Sequence, residues 1–279
     1  MTVTLKPGLY IVATPIGNLS DLSPRAAEIL KQADVIAVED SRVTGKLLNH
    51  LGVKRPMTPY HDHNAEGVRP GLVARMGTEA VALVSDAGTP LISDPGFKLV
   101  RDARAAGFSV TTIPGPCAAI AGLTLAGLPT DRFLFVGFLP SKAKARADAI
   151  DEIARVRATL LFYESGPRLG SALAALAKGL GDREAAVTRE ISKMFEECVT
   201  DKLSNLAERY ADAPPKGEIV IVVGPPVESN SVADDATIEI ALREALTRLP
   251  PSKAVGEISK TMKIERHALY ARAMALLGK

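Results

Sequence analysis

Val81-Ala82-Leu83-Val84-Ser85-Asp86-Ala87-Gly88-Thr89-Pro90 decides the fold class. Four apolar residues without polar alternation mark a strand buried on both faces, the habit of parallel sheets covered by helices. Small, polar and turn-forming residues then take over. The same order recurs on both sides. Leu9-Tyr10-Ile11-Val12-Ala13 runs into Thr14-Pro15-Ile16-Gly17-Asn18-Leu19. Val35-Ile36-Ala37-Val38 runs into Glu39-Asp40-Ser41-Arg42, and Val110-Thr111-Thr112-Ile113 into Pro114-Gly115-Pro116-Cys117-Ala118. Between these strands, Ser23-Pro24 is an N-cap and first-turn proline, with Ala26, Ala27, Ile29, Leu30 and Ala33 as the apolar stripe. Asp94-Pro95 reads as the cap of another helix, with Leu99, Val100 and Ala103 inward and Gly107 as its stop.

A second αβ set follows. Strands are expected at 133–136, 159–163, 185–188 and 219–223, with helices over 142–157 and about 167–178. The Pro114-Gly115-Pro116 punctuation predicts a domain boundary. We therefore expect an N-terminal α/β domain over 1–115 and a second over 116–228. A polar linker and a helical segment fill 229–279. The composition turns polar from Pro225 to Ala236, and two helices are expected near 252–260 and 265–276. Residues 250–279 hold six lysines and arginines against two glutamates, a local basic excess hidden in a whole-chain charge of only +2. No fixed-period repeat is present.

The composition removes several classes. Hydrophobic residues at 47% and charged residues at 24% describe a globular chain. Two cysteines, Cys117 and Cys198, form no CxxC pair and fit free thiols in a reducing compartment. No apolar run approaches the length of a membrane span and no signal peptide is visible, so a cytoplasmic protein is expected. There is no P-loop, no GxGxxG after the first strand, no HExxH, no Cys/His ligand cluster and no GxSxG elbow. No metal site is expected.

What remains is four turn-rich loops at four successive strand ends. Ligands of open α/β sheets bind outside those ends, and small residues let the backbone approach a flat ligand. Glu39 and Asp40 end a strand there; they are the carboxylate candidates, or else they cap the next helix. His61 and Asn64 lie in a polar stretch that either contacts substrate or forms a surface loop. Arg42, Arg168, Arg189 and Lys193 are solvated singly, but as a group they fit a phosphate backbone. Glu164 and Glu190 are either catalytic or partners of Arg168 and Arg189. The C-terminal helices resemble a helix-turn-helix with a basic surface for nucleic acid; the alternative is a hairpin packed on the body or on a dimer mate.

Taken together, these strand-end loops with Ser85 to Gly96 and Leu161-Phe162-Tyr163-Glu164-Ser165 resemble the tetrapyrrole-methylase-like superfamily of S-adenosylmethionine-dependent methyltransferases. The likeness spans about residues 8–224. It implies two α/β domains with S-adenosylmethionine held in the cleft between them, largely by backbone atoms. Carried onto this chain, it assigns Pro15, Gly17, Asp86, Gly88, Thr89, Pro90, Cys117, Ala118 and Tyr163 to the cofactor. Asn18 stands where tetrapyrrole methylases often carry an acidic residue, and joins Glu39 and Asp40 as a catalytic candidate. Within the superfamily the pattern is most similar to enzymes that methylate the ribose 2′-hydroxyl of a decoding-region cytidine in 16S rRNA. A small ribosomal subunit as substrate and a homodimer are then expected. The rival readings are a tetrapyrrole C-methyltransferase of the cobalamin or siroheme pathway and a DNA-binding regulator. Against the first stand the basic C-terminal segment and the Glu39–Arg42 and His61–Asn64 stretches. Against the second stands the idle α/β body.

Overall fold

A computed structural model describes residues 5–226, 235–262 and 264–277. They divide into two compact units, 1–225 and 226–279.

The first unit carries two five-stranded sheets. The first is built from β1 (Gly8–Val12), β2 (Val35–Val38), β3 (Met57–Pro59), β4 (Ala80–Val84) and β5 (Val110–Ile113) in the order β3-β2-β4-β1-β5. All of its pairings are parallel. Parity along each strand explains the layers. Val12, Ile36, Val38, Ala82 and Val84 face α1 (Pro24–Gln32) and α2 (Ser41–His50), while Leu9, Val35, Ala37, Val81 and Leu83 face α3 (Ala65–Arg75) and α4 (Phe97–Ala105). Both faces are dry, which is why these strands read as unbroken apolar runs. β4 lies between β1 and β2, so the connections leaving β1 and β4 run in opposite directions across the sheet. That divergence opens a crevice at their carboxyl ends.

The second sheet has the order β6-β7-β10-β8-β9, with β6 (Phe133–Phe138), β7 (Thr159–Ser165), β8 (Glu184–Arg189), β9 (Glu197–Lys202) and β10 (Glu218–Val223). Only the β6–β7 pair is parallel. One face packs on α6 (Ala143–Ile153), α7 (Gly166–Leu180) and α8 (Leu203–Arg209); the other packs on α5 (Ala118–Leu125). The second unit is three helices, α9 (Asp235–Arg248), α10 (Pro251–Met262) and α11 (Arg266–Leu276), around Leu242, Ala254, Val255 and Leu269. Among the described residues no helix is long and apolar enough to cross a membrane.

The Ser23 cap is present: its hydroxyl accepts from Ala26 N at 3.1 Å. Gly107 ends α4 with φ +78°. Other expectations need correction. Asp94-Pro95 does not cap α4, whose N-cap is Gly96 with φ 139°. α6 stops at Ile153, short of Arg157, although Ala154 and Val156 still pack on the core. The C-terminal helices number three, not two, because 235–248 is also helical. The expected linker over 225–236 falls mostly outside the described residues. Four helices (α2, α3, α5, α8) and strands β3 and β9 had no reading. α5 is apolar around most of its circumference and so has no helical period. α3 contains Pro70. β9 is an edge strand with Cys198, Thr200 and Asp201 exposed, which hides its alternation.

Candidate active site

Strand ends of both sheets surround a cavity of about 340 Å³, inside the range of about 300–1,000 Å³ usual for small-molecule sites. The first sheet contributes Ile16, Glu39, Asp86 to Thr89, and Ile92 to Asp94. The second contributes Phe138, Tyr163 to Ser165, Glu190 to Ile191, Lys193 and Gly217 to Val220, with Ala118 from the start of α5.

The loop after β4 is shaped by Gly88 (φ +79°). It forms a two-bond bridge with the loop after β1: Thr14 N donates to Gly88 O at 2.8 Å, and Gly88 N to Thr14 O at 3.1 Å. Thr89 Oγ1 donates to Pro116 O at 2.8 Å, tying in the loop after β5. Tyr163 from β7 accepts from Ala119 N at 3.1 Å. Burial first, then the Cys117 thiol, pushes its hydroxyl pKa upward, so this group stays protonated. Lys193 lays its aliphatic stem across Gly17, where a Cβ would stand 2.2 Å from Lys193 Cε. The Lys193 ammonium meets Glu190 at 3.0 Å and Glu218 at 3.6 Å. These carboxylates hold its pKa up although burial alone would lower it.

One wall of the cavity is acidic. Burial, then Asp94 and Asp86, raises the Glu39 carboxyl above its usual range. Burial likewise raises Asp94, opposed by a hydrogen bond from Ser85 and helped by Asp86 and Asp62. Asp86 spends one oxygen on Asp40 N at 2.9 Å. Asp40 faces a different environment. It caps α2 by accepting from Arg42 N at 2.8 Å and pairs with the Arg42 guanidinium at 2.5 Å. Those Arg42 bonds hold its carboxyl down to about 2.

Of the cofactor candidates, Asp86, Gly88, Thr89, Ala118 and Tyr163 line the cavity. Pro15, Gly17, Pro90 and Cys117 flank it without lining it, and Ile16 occupies the place expected of its neighbours. Among the catalytic candidates Glu39 lines the cavity, whereas Asn18 caps a short 3-10 turn by accepting from Ser20 N at 3.0 Å. Among the substrate candidates only Lys193 is in the lining. Arg42 holds Asp40, Arg168 pairs with Glu164 at 3.2 Å, and Arg189 pairs across strands with Glu197 at 2.6 Å. The Glu164–Arg168 partnership was legible from i, i+4 spacing; Glu190 instead pairs with Lys193. Asn64 shapes its own turn, accepting from His61 N and donating to Pro59 O. His61 Nδ1 is buried without a hydrogen-bond partner.

Several lining residues escaped the sequence reading: Ile92, Ser93, Asp94, Phe138, Ile191 and Gly217. Asp94 was visible but read as a cap. Leu91 (φ 76°) and Ser93 (φ 64°) hold its loop in a left-handed turn that no propensity announces.

The acidic wall fits a cation. Half-buried carboxylates set beside further carboxylates, as Glu39 and Asp94 are, are poorly solvated when ionised, and a positively charged ligand relieves that cost. The apolar remainder, from Ile16, Ile92, Tyr163, Ile191 and Val220, suits a flat ring.

Comparison with known proteins agrees with this architecture. A family described as Tetrapyrrole (Corrin/Porphyrin) Methylases matches residues 8–207, and one described as the RsmI C-terminal HTH domain matches residues 232–277. Ribosomal RNA small subunit methyltransferase I of Erythrobacter litoralis is 55% identical over 98% of this chain and 96% of its own. The protein of the same name from Mesorhizobium japonicum is 48% identical over 98% and 93%. Among solved structures, uroporphyrin-III-C-methyltransferase of Thermus thermophilus has a TM-score of 0.57 at 20% identity, covering 78% of this chain and 94% of its own. A form of that enzyme complexed with S-adenyl homocysteine scores 0.54 at 22% identity, with coverage of 78% and 97%. Fold, full-length identity and both matched segments agree: the chain belongs to the ribosomal RNA small subunit methyltransferase I family, within the tetrapyrrole methylases.

Proposed function

We propose that this protein transfers a methyl group from S-adenosylmethionine to the ribose 2′-hydroxyl of a decoding-region cytidine in 16S rRNA, acting on the small ribosomal subunit as a cytoplasmic homodimer. The observation that carries the reading is the cavity of strand-end loops with its acidic wall. We further propose that the two sheets are the two domains expected from the sequence, and that the C-terminal helices dock RNA. The test is incubation of methyl-labelled donor with small subunits from cells lacking the protein, followed by mass spectrometry of the RNA digest. Label on a ribose oxygen is expected; label on a base, or none, overturns the reading.

The cofactor supplies an already activated methyl group on a sulfonium. The chain must therefore align and dehydrate more than activate. Glu39, Asp86 and Asp94 supply negative charge toward the cation. The backbone of residues 86–89 and the start of α5 hold the ligand's flat part. The nucleophile is a hydroxyl, whose proton must leave as the new O–C bond forms. We assign that proton to Glu39 rather than Asp40, because a carboxylate held at about 2 is a weak base, while burial makes Glu39 the more basic of the two. Glu39→Gln should lower kcat by about 100-fold, within the usual range for losing a general base. Asp40→Asn should change it by less than about 3-fold, read as a near-additive surface effect. Equal losses in single-turnover assays would return the assignment to the pair.

The same carboxylates predict a pH signature. Their folded-state pKa values lie above the ordinary 4.5 of Glu39 and 3.8 of Asp94. The unfolded chain ionises them first, so their contribution to stability is full at acid pH and is lost as pH climbs through the raised values. A cationic ligand prefers the ionised wall, so its affinity should rise over that same window. S-adenosylhomocysteine differs in having a neutral sulfur. The ratio of affinities, S-adenosylmethionine over S-adenosylhomocysteine, should climb as pH rises from about 4 through the raised values. Calorimetry at several pH values measures it, and Glu39→Gln should flatten the slope. A flat ratio in the unaltered protein would separate this wall from the sulfonium.

A further inference from the structure

We propose that Phe138 is the platform on which the base of the target nucleotide stacks while its ribose is methylated; this rests on the function proposed above and adds a substrate-contact residue to it.

The argument begins with parity in β6. Leu134 and Val136 pack on the α7 side of the sheet, and Phe135 packs on the opposite, α5 side. Strict alternation would return Phe138 to the side of Leu134 and Val136. It does not go there. The register with β7 slips by one residue between Phe135 and Gly137: Phe135 pairs with Leu161, Gly137 with Phe162, and Phe138 with Tyr163. An inserted residue of this kind re-aims the side chains after it. Gly137 makes the slip possible with φ +78°. A Cβ there would sit 3.1 Å from Ser93 Oγ, so the bulge is seated against the loop that carries Ile92 and Asp94.

As a result Phe138 stands on the Tyr163 side, in the cavity lining. Its ring meets that of Tyr163 edge-on, with centroids 5.6 Å apart and planes at 60°. Phe135 braces Tyr163 in the same manner at 5.0 Å. Yet 57% of Phe138 is exposed. A phenyl ring turned out of a core into a cavity mouth, held by a second ring yet open to water, has no packing reason for its position. An unpaired nucleobase offers the flat partner it lacks. Bases lifted from single-stranded RNA are commonly held on aromatic rings, and a phenyl face is indifferent to the base's polar edges. The cofactor is the weaker candidate for this ring, because its proposed cradle is the backbone of residues 86–89 and the start of α5, not the end of β6.

The test compares Phe138→Leu, which keeps apolar bulk without a ring face, with Phe138→Tyr, which keeps the face. The full-length protein is assayed against small subunits lacking the modification, and S-adenosylhomocysteine binding is measured by calorimetry. Phe138→Leu should lose roughly 10- to 100-fold in kcat/KM, the size of one base–aromatic stack. Most of that should appear in kcat, since the subunit is held by many other contacts while the ribose loses its orientation. Phe138→Tyr should stay within about 3-fold of the unaltered protein, and cofactor affinity should be unchanged in both. Activity of Phe138→Leu equal to the unaltered protein overturns the proposal while leaving the methyltransferase reading intact. So does a loss of cofactor affinity matching the loss of activity, which would give the ring to the adenine. Failure of the unaltered protein to methylate the subunits overturns both together.

Discussion

Gly88→Val should cost at least about 10-fold in affinity for S-adenosylhomocysteine while the protein remains folded. Three constraints meet at this residue. Its φ of +79° lies where a β-branched side chain is badly strained, at a cost of about 1–3 kcal/mol. A Cβ would press on Ile16 Cγ2 at 3.3 Å, and Ile16 is itself part of the cavity wall. The backbone cannot swing away to relieve either, because both of its hydrogen bonds go to Thr14. The loop therefore breaks its bridge to Thr14 or shifts Ile16 inward. Either change spoils the backbone surface proposed above to hold the ligand's flat part. A tenfold loss corresponds to about 1.4 kcal/mol, the lower part of the strain range. Calorimetry gives the affinity, and far-ultraviolet circular dichroism confirms that the sheets persist. Unchanged affinity would remove the Asp86–Thr89 loop from the cofactor cradle.

That loop was legible in the sequence because its strand is buried on both faces, which forces an uninterrupted apolar run and then an abrupt turn. The same logic located β1, β2, β5, β7 and β10 to within a residue or two. It failed at the sheet edge and on a helix without a polar face. β9 lies at a sheet edge, and α5 is apolar on most sides, so neither shows its period. The site shows the same division. Glu39, Asp86 and Gly88 sit at ends of strands that pattern alone can find. Phe138 is set by a one-residue slip that pattern analysis treats as noise, since alternation sends it to the wrong face. Asp94 depends on left-handed backbone at Leu91 and Ser93, which only tertiary packing imposes. The basic residues were the poorest guide. Charge in the sequence says that a side chain needs a partner, not whether that partner lies inside the molecule or in a substrate.

Arg168 makes that last point measurable. Its charge suggested a phosphate contact, but in the fold it serves the carboxylate of Glu164, whose side chain is 1% exposed and 3.2 Å away. Glu164 receives Ser165 N at 2.8 Å as well. The guanidinium also donates to Leu139 O, joining the first turn of α7 to the end of β6. Truncation to alanine leaves a buried carboxylate without its countercharge. Removing one partner of such a pair costs about 3–5 kcal/mol, far more than an exposed pair is worth. For a unit of this size that corresponds to a fall in Tm of roughly 6–20 °C. Adding Glu164→Gln to Arg168→Ala should recover most of the loss, because the unpaired charge is then gone even though the hydrogen bonds are not restored. RNA affinity of the folded double variant should match that of the unaltered protein. If Arg168→Ala instead melts normally and binds small-subunit RNA more weakly, the guanidinium reaches the phosphate backbone after all, and its pairing with Glu164 is incidental.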